Sequence, residues 1–547
     1  MRVPHAAEAA ALDWKICNGG FECASLMVPL DYSNANGAQT KIALVRKPAG
    51  DKSKRIGSLL ANPGGPGASG NDFVRAWAGV LRKDIRDRFD IVGFDPRGIG
   101  ESDALVCHDN LKDYIAADPS PDNQAEFDTL SAVTKTFAEA CAKAAGGAIQ
   151  FYGTKNVARD LDRIREALGD AKLTYLGYSY GTVIGQVYAE MFPGNIRAMV
   201  LDGAVDLALD TDALSLTQAQ GFELALQNFL ADCKVRGIGC RLAKRGDPAA
   251  AIKQLLAQAE AAPIPSKSAD RAAGPGEAIL GILAPLYNEL LWPRLDRIVD
   301  DALNGDGSGL VTSADDYLER QGNSYTNVTE MNLAVNCIDN EPSKLPATYK
   351  DYPASAARLA AVSPTFGPAL ATGLSCAFWK AKPDPLSAPT NVKGAPPIVV
   401  ISTTGDPATP YQWGVDVSKQ LANSVLLTYR GEGHTVYGGE DDCVDSAVNA
   451  YLISLTVPAA GTQCGNGKPP PAANAGTGTP VANATPGSNV QPRPSTGSGD
   501  DPSGHASQDE SDETGSSSRG WLVFGGGVLV MFALAAAGTI WMAYRRR

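Results

Sequence analysis

The pentapeptide Gly177-Tyr178-Ser179-Tyr180-Gly181 sets a serine between two glycines, where the apolar run LTYLGY gives way to the helical stretch TVIGQVYAEMF. A sharp strand-to-helix turn of this kind exposes a hydroxyl that can act as a nucleophile. In a chain with 57 glycines the pentapeptide arises easily by chance, so the rest of a catalytic set has to be present. A nucleophilic serine needs a base for its proton and an acid to orient that base. The chain has four histidines. His434 and His505 follow Ser179; His505 falls in a tract rich in Pro, Gly and Ser, and His108 precedes the serine and adjoins Cys107. His434, in the glycine-rich loop YRGEGHTVYGG, is the expected base. Asp406, closing the run PPIVVISTTGD, is the expected orienting acid, and Asp202 at the end of IRAMVLD competes for that role. A tetrahedral oxyanion needs N–H donors. Tyr180 N–H, just after the serine, is the first expected donor, and Gly65 N–H in the loop NPGGPG is the second.

The elements needed to position these groups follow from the apolar pattern. IGSLLANPGGPG, FDIVGFDPRGIG, LTYLGYSYG, IRAMVLDGAVD, PPIVVISTTGD and SVLLTYRGEGH are short apolar runs that end in loops, alternating with helical stretches. This is the pattern of a parallel α/β sheet, which places ligands at the carboxyl ends of its strands. The chain is expected to divide into a first core part at 14–206, a mostly helical inserted cap at 207–390, and a C-terminal core part at 391–464. A Pro/Ala/Gly/Ser/Thr-rich stretch at 465–520 cannot bury a core and is expected to be a disordered stalk. Residues 521–544 carry no charge and are long enough for roughly 36 Å of helix. With Arg545–Arg547 behind them, they are expected to span a membrane once, with the arginine tail cytoplasmic and the rest outside. No apolar leader can be read at the N-terminus, so a start upstream of Met1 is expected. The DETG preceding the span lacks the rest of a sortase signal, so retention of the helix is favoured.

At 547 residues the chain can build a large core with an insertion. Hydrophobic residues make up 44% and charged residues 20%, as in globular proteins. A net charge of -12, without a basic stripe before the last three residues, argues against a nucleic-acid partner. The ten cysteines include no C-x-x-C pair, and with so few histidines no metal site is expected. Pairing in chain order is expected instead: Cys17 with Cys23, Cys107 with Cys141, Cys233 with Cys240, Cys337 with Cys376, and Cys443 with Cys464.

Taken together, NPGGPG, GFDPRGIGESD, GYSYGT, GDPATP and GEGHTVY, with the opening C…FECASLMVPLDY, resemble the bacterial secreted tripeptidyl aminopeptidase/prolyl aminopeptidase-type serine peptidases of the α/β-hydrolase fold. The resemblance runs from about Trp14 to Cys464. It implies a serine exopeptidase that releases short peptides from free N-termini without metal or organic cofactor. It carries over Ser179 as nucleophile, Asp406 as acid, His434 as base, and Gly65 with Tyr180 as the oxyanion hole. An aminopeptidase must also hold an ammonium group, which calls for a carboxylate. Asp339 and Glu341 in NCIDNEPSK are the candidates. A carboxylesterase or lipase would use the same three residues. A non-catalytic surface binding protein would be expected to have lost one of them.

Overall fold

In the computed structural model the described residues are 12–107, 111–390, 392–467 and 469. His108, most of the expected stalk and the expected span at 521–544 lie outside them. Among the described residues no helix is long and apolar enough to cross a membrane.

Runs such as GSLLAN and FDIVGF alternate large apolar side chains to both faces, and strands built from them must be covered on both sides. The chain does this with one sheet. It comprises β1 (Lys15–Cys17), β2 (Phe21–Pro29), β3 (Gln39–Lys47), β4 (Gly57–Asn62), β5 (Phe89–Phe94), β6 (Leu173–Tyr178), β7 (Ile196–Asp202), and three later strands. A two-residue hairpin, β8 (Arg320–Gln321) with β9 (Ser324–Tyr325), stands apart from it; β10 (Ile398–Gly405), β11 (Ser424–Glu432) and β12 (Gln463–Cys464) complete the sheet. The spatial order is β1-β2-β3-β5-β4-β6-β7-β10-β11-β12. From β5 onward every neighbouring pair is parallel. Leu60, Val92, Tyr175 and Val400 point into one apolar core, and Leu59, Ile91, Leu176 and Val399 into the core on the opposite face.

The antiparallel edge β1-β2-β3-β5 is not foreseen in the sequence pattern. Short connections account for its outer pairs: the links from β1 to β2 and from β2 to β3 are too short for a parallel return, which needs a crossover of a dozen or more residues, whereas β3 and β5 pair across an intervening β4 and two helices. Between β7 and β10 the chain is largely helical, including Thr211–Arg236, Pro248–Ala261, Pro275–Leu283, Trp292–Leu303, Ser308–Tyr317 and Val328–Asp339.

Two buried acids fix the strand-end loops. Arg97 is fully buried with Asp160, donating from Nε and Nη2 at 2.7 Å each. Its remaining N–H groups reach Leu30 O, Phe151 O and Pro29 O. A buried ion pair tolerates desolvation when every donor is used in this way. Asp95 accepts from Ser69 Oγ, Asn71 N and Glu101 N, and burial pushes its carboxyl up to about 6. The GFDPRGIGESD stretch therefore serves as scaffold, joining the loop after β5 to the helix that follows β4. All five disulfides pair in chain order as expected, and bridges of this kind belong to an oxidising, extracytoplasmic compartment. Cys337–Cys376 fastens the helix Val328–Asp339 to the short helix Leu374–Ala377.

Candidate active site

Strand β6 ends at Tyr178 and the helix Tyr180–Met191 begins immediately, so Ser179 alone must turn the chain. It does so at φ 57, ψ -125, a left-handed conformation costly for a residue with a side chain. The flanking glycines are required by close approach. A Cβ on Gly177 would collide with Gly181 O, and one on Gly181 would lie 2.7 Å from Asn62 O at the end of β4. The turn lifts the hydroxyl above the sheet's carboxyl edge, where the loops after β10 and β11 also arrive.

Those loops deliver the expected partners. His434 Nε2 lies 2.7 Å from Ser179 Oγ, and His434 Nδ1 lies 2.9 Å from each oxygen of Asp406. All three residues are buried. A carboxylate at Nδ1 holds the proton on that nitrogen and leaves Nε2 free to accept from the serine. Asp406 is fixed in turn: Oδ1 accepts from Ala408 N and Thr409 N at 2.8 Å, and Oδ2 from Thr409 Oγ1 at 2.8 Å. Tyr287, from the helical insertion, accepts His434 N–H through its carbonyl at 2.9 Å. Its ring meets the imidazole edge-on at 5.5 Å.

The competing acid is close by but occupied elsewhere. Asp202 Oδ2 accepts from Val436 N at 2.9 Å and Tyr437 N at 2.8 Å, pinning the chain just beyond His434. Burial pushes its carboxyl up to about 6, against the pull of those donors and of His434. Among the described residues Asp406, and not Asp202, is the carboxylate bonded to the imidazole.

Gly64 N–H donates to Asn62 Oδ1 at 3.0 Å, and a Cβ on Gly64 would lie 3.0 Å from Tyr180 N. The loop with Gly65 (φ 112) therefore packs against the elbow. Tyr180 opens its helix, so its N–H has no acceptor in the preceding turn. The sequence reading missed the groups that hold this arrangement. They are Thr409, Asn62, Tyr287 and Thr154. Thr409 carries a readable signal, since an Asp followed two and three residues on by free N–H groups is an Asx-type turn.

Asp339 and Glu341 both line a cavity of about 320 Å³ beside Tyr180, Val183, Val205 and Trp413. Ser179 and His434 lie outside its walls; Tyr180 is the link between cavity and serine. The described walls carry Asp206, Asp210, Asp339 and Glu341 and no cationic side chain, although Asp210 is paired with Lys344 at 2.6 Å. Glu341 is exposed, whereas Asp339 is buried. Asp339 accepts from Thr154 N at 2.9 Å and from Thr154 Oγ1, which also bonds Tyr180 Oη.

Comparison with known proteins places this geometry. A family model described as TAP-like protein matches residues 363–464, and one described as alpha/beta hydrolase fold matches residues 57–276. Serine protease Hip1 of Mycobacterium tuberculosis is 41% identical over 468 residues, covering 82% of this chain and 88% of that protein. The chain belongs to the TAP-like family of α/β hydrolases. Carboxylesterase B of M. tuberculosis is 38% identical, covering 81% of this chain and 86% of its own length. Tripeptidyl aminopeptidase of Streptomyces lividans is 32% identical, covering 84% and 87% respectively.

Two outcomes are expected from the electrostatics. Asp406→Asn lowers kcat by about 10⁴-fold through loss of the correct imidazole tautomer, while Asp202→Asn keeps most activity, because an amide oxygen can still accept the two N–H groups. Steady-state rates of both variants on one substrate decide, and the reverse ranking contradicts the assignment of the acid. Burial also pushes the Asp339 carboxyl from 3.8 up to about 7, against the hydrogen bonds of Thr154. The folded state therefore holds this proton more tightly than the unfolded chain, and stability falls as pH rises through that window. Asp339→Asn removes that slope. Denaturant unfolding of both forms across pH 4 to about 7 is expected to show the variant gaining on the wild type as pH rises, and a pH-independent difference contradicts it.

Proposed function

We propose that the chain is a cell-surface serine exopeptidase that releases short peptides from free N-termini through an acyl-enzyme. The reading rests chiefly on one observation, the hydrogen-bonded chain Ser179–His434–Asp406 at 2.7 and 2.9 Å beside a cavity with acidic walls. Ser179 Oγ attacks the scissile carbonyl carbon as its proton passes to His434 Nε2. The resulting oxyanion takes the N–H groups of Gly65 and Tyr180. The C–N bond then breaks, and His434 gives its proton to the departing amine. Water, deprotonated by His434, attacks the Ser179 ester and frees the peptide acid. Asp339 and Glu341 supply the carboxylates that favour a substrate ammonium, the helical insertion caps the cleft, and residues 521–544 anchor the protein in the membrane. The family membership and the relatives named serine protease and tripeptidyl aminopeptidase support the peptidase reading.

A carboxylesterase is the second reading, favoured by the relative that carries that name. The two separate on substrate. Purified full-length protein is offered chromogenic peptides with free and with acetylated N-termini, beside a short-chain nitrophenyl ester, with Ser179→Ala as control. Cleavage of the free-amine peptides, poor cleavage of the acetylated ones and loss of about 10⁶-fold in kcat in the control are expected. Ester cleavage without peptide cleavage contradicts the exopeptidase reading.

A further inference from the structure

The helix Val328–Asp339 lies directly over the loop with Gly65. A Cβ on Gly67 would collide with Val328 O, and Asn332 Nδ2 donates to Pro66 O at 3.3 Å. From there Asn332 and Asn336 stand one turn apart on the helix, and Asn340 caps its C-terminal end in an extended conformation. Asn336 Nδ2 donates to Asn332 Oδ1 at 3.1 Å, and Asn340 Nδ2 donates to Asn336 O at 2.9 Å. Asn332 is buried, while Asn336 and Asn340 are half-buried and line the cavity. Glu341 stands exposed at the end of the series. A line of oriented primary amides thus runs from the expected oxyanion loop to the acidic end of the cavity.

Resting on the exopeptidase reading, we propose that Asn336 and Asn340 are the main-chain subsite for the acyl portion of the substrate, an extended peptide that lies along this helix with its ammonium at Glu341. The chemistry matches. A primary amide offers one acceptor and two donors; among the described residues the bonds above use one N–H of each amide. The carbonyl and second N–H that remain are complementary to the N–H and C=O of a peptide unit. An alkyl acyl chain would leave these groups desolvated and unpaired, so the ladder favours peptide over lipid. The spacing matches as well. Four helical residues advance about 6 Å, and two residues of extended peptide advance about 6.6 Å. Measured from Pro66, Asn336 is reached by a second substrate residue and Asn340 only by a third or fourth. The bonds within the ladder hold the amides in place before substrate arrives, which limits the ordering cost of binding.

The test uses full-length protein, Asn336→Ala and Asn340→Ala, on free-amine chromogenic substrates with one to four residues before the scissile bond. A short nitrophenyl ester, too short to reach the ladder, reads folding and the chemistry at Ser179. The expected result is a KM raised about 5- to 10-fold by Asn336→Ala from two residues upward. Asn340→Ala is expected to raise it only from three or four residues upward, with ester turnover moving little. Equal losses at every length, parallel loss on the ester, or no loss in either variant overturn the ladder while leaving the exopeptidase reading standing. A wild type that cleaves no free-amine peptide of any length overturns both.

Discussion

The site depends on the crossing of two backbones at Ser179. With φ 57 and ψ -125, the serine sits where L-residues rarely do, and it stays there because its neighbours leave no alternative. Gly177 and Gly181 touch across the turn, Gly181 abuts the end of β4, and Gly64 abuts Tyr178 O and Tyr180 N. Local strain of about 1–3 kcal/mol persists when the surroundings over-determine the conformation. One crossing sets three things together: the height of the hydroxyl, the free N–H of Tyr180, and the approach of the loop with Gly65.

The charges around that crossing are divided between two acids on strands separated by no other. Asp202 ends β7 and Asp406 directly follows its neighbour β10, yet they do different work. Asp406 faces Nδ1 of His434, held there by three donors from residues 408 and 409. Asp202 gives its accepting oxygen to Val436 and Tyr437 and so fixes the backbone that carries the histidine. The segment between β7 and β10 adds two contacts: Tyr287 O accepts from His434 N, and the helix Val328–Asp339 packs on the loop after β4.

Much of this was legible in the residues. Apolar runs ending in Gly-rich loops mark the parallel strands, and the loops singled out for Ser179, Asp406 and His434 are the ones that meet. Even the cysteine pairing followed chain order. What was not legible depends on contacts distant in sequence. The antiparallel pairs β1-β2 and β2-β3 follow from short connections that periodicity does not weigh, and the β3-β5 pair joins strands distant in sequence. The division of labour between Asp202 and Asp406 is set by which backbone N–H groups fold back onto each, as Val436 and Tyr437 do more than 230 positions away. Asp339, an ammonium-binding candidate in the sequence, sits at the end of a largely buried helix, bound to Thr154. The expected span at 521–544 and most of the expected stalk at 465–520 lie outside the described residues.

The most direct test of the central claim is to find which side chain reacts as the nucleophile. The full-length protein is treated with an alkyl fluorophosphonate, whose phosphorus is attacked by an activated serine with loss of fluoride, and the adduct is located by peptide mass mapping. The geometry predicts a single adduct on Ser179, formed at a rate that falls by about 10³-fold or more in His434→Ala. An adduct on another residue, or labelling of Ser179 at an undiminished rate without His434, would contradict it.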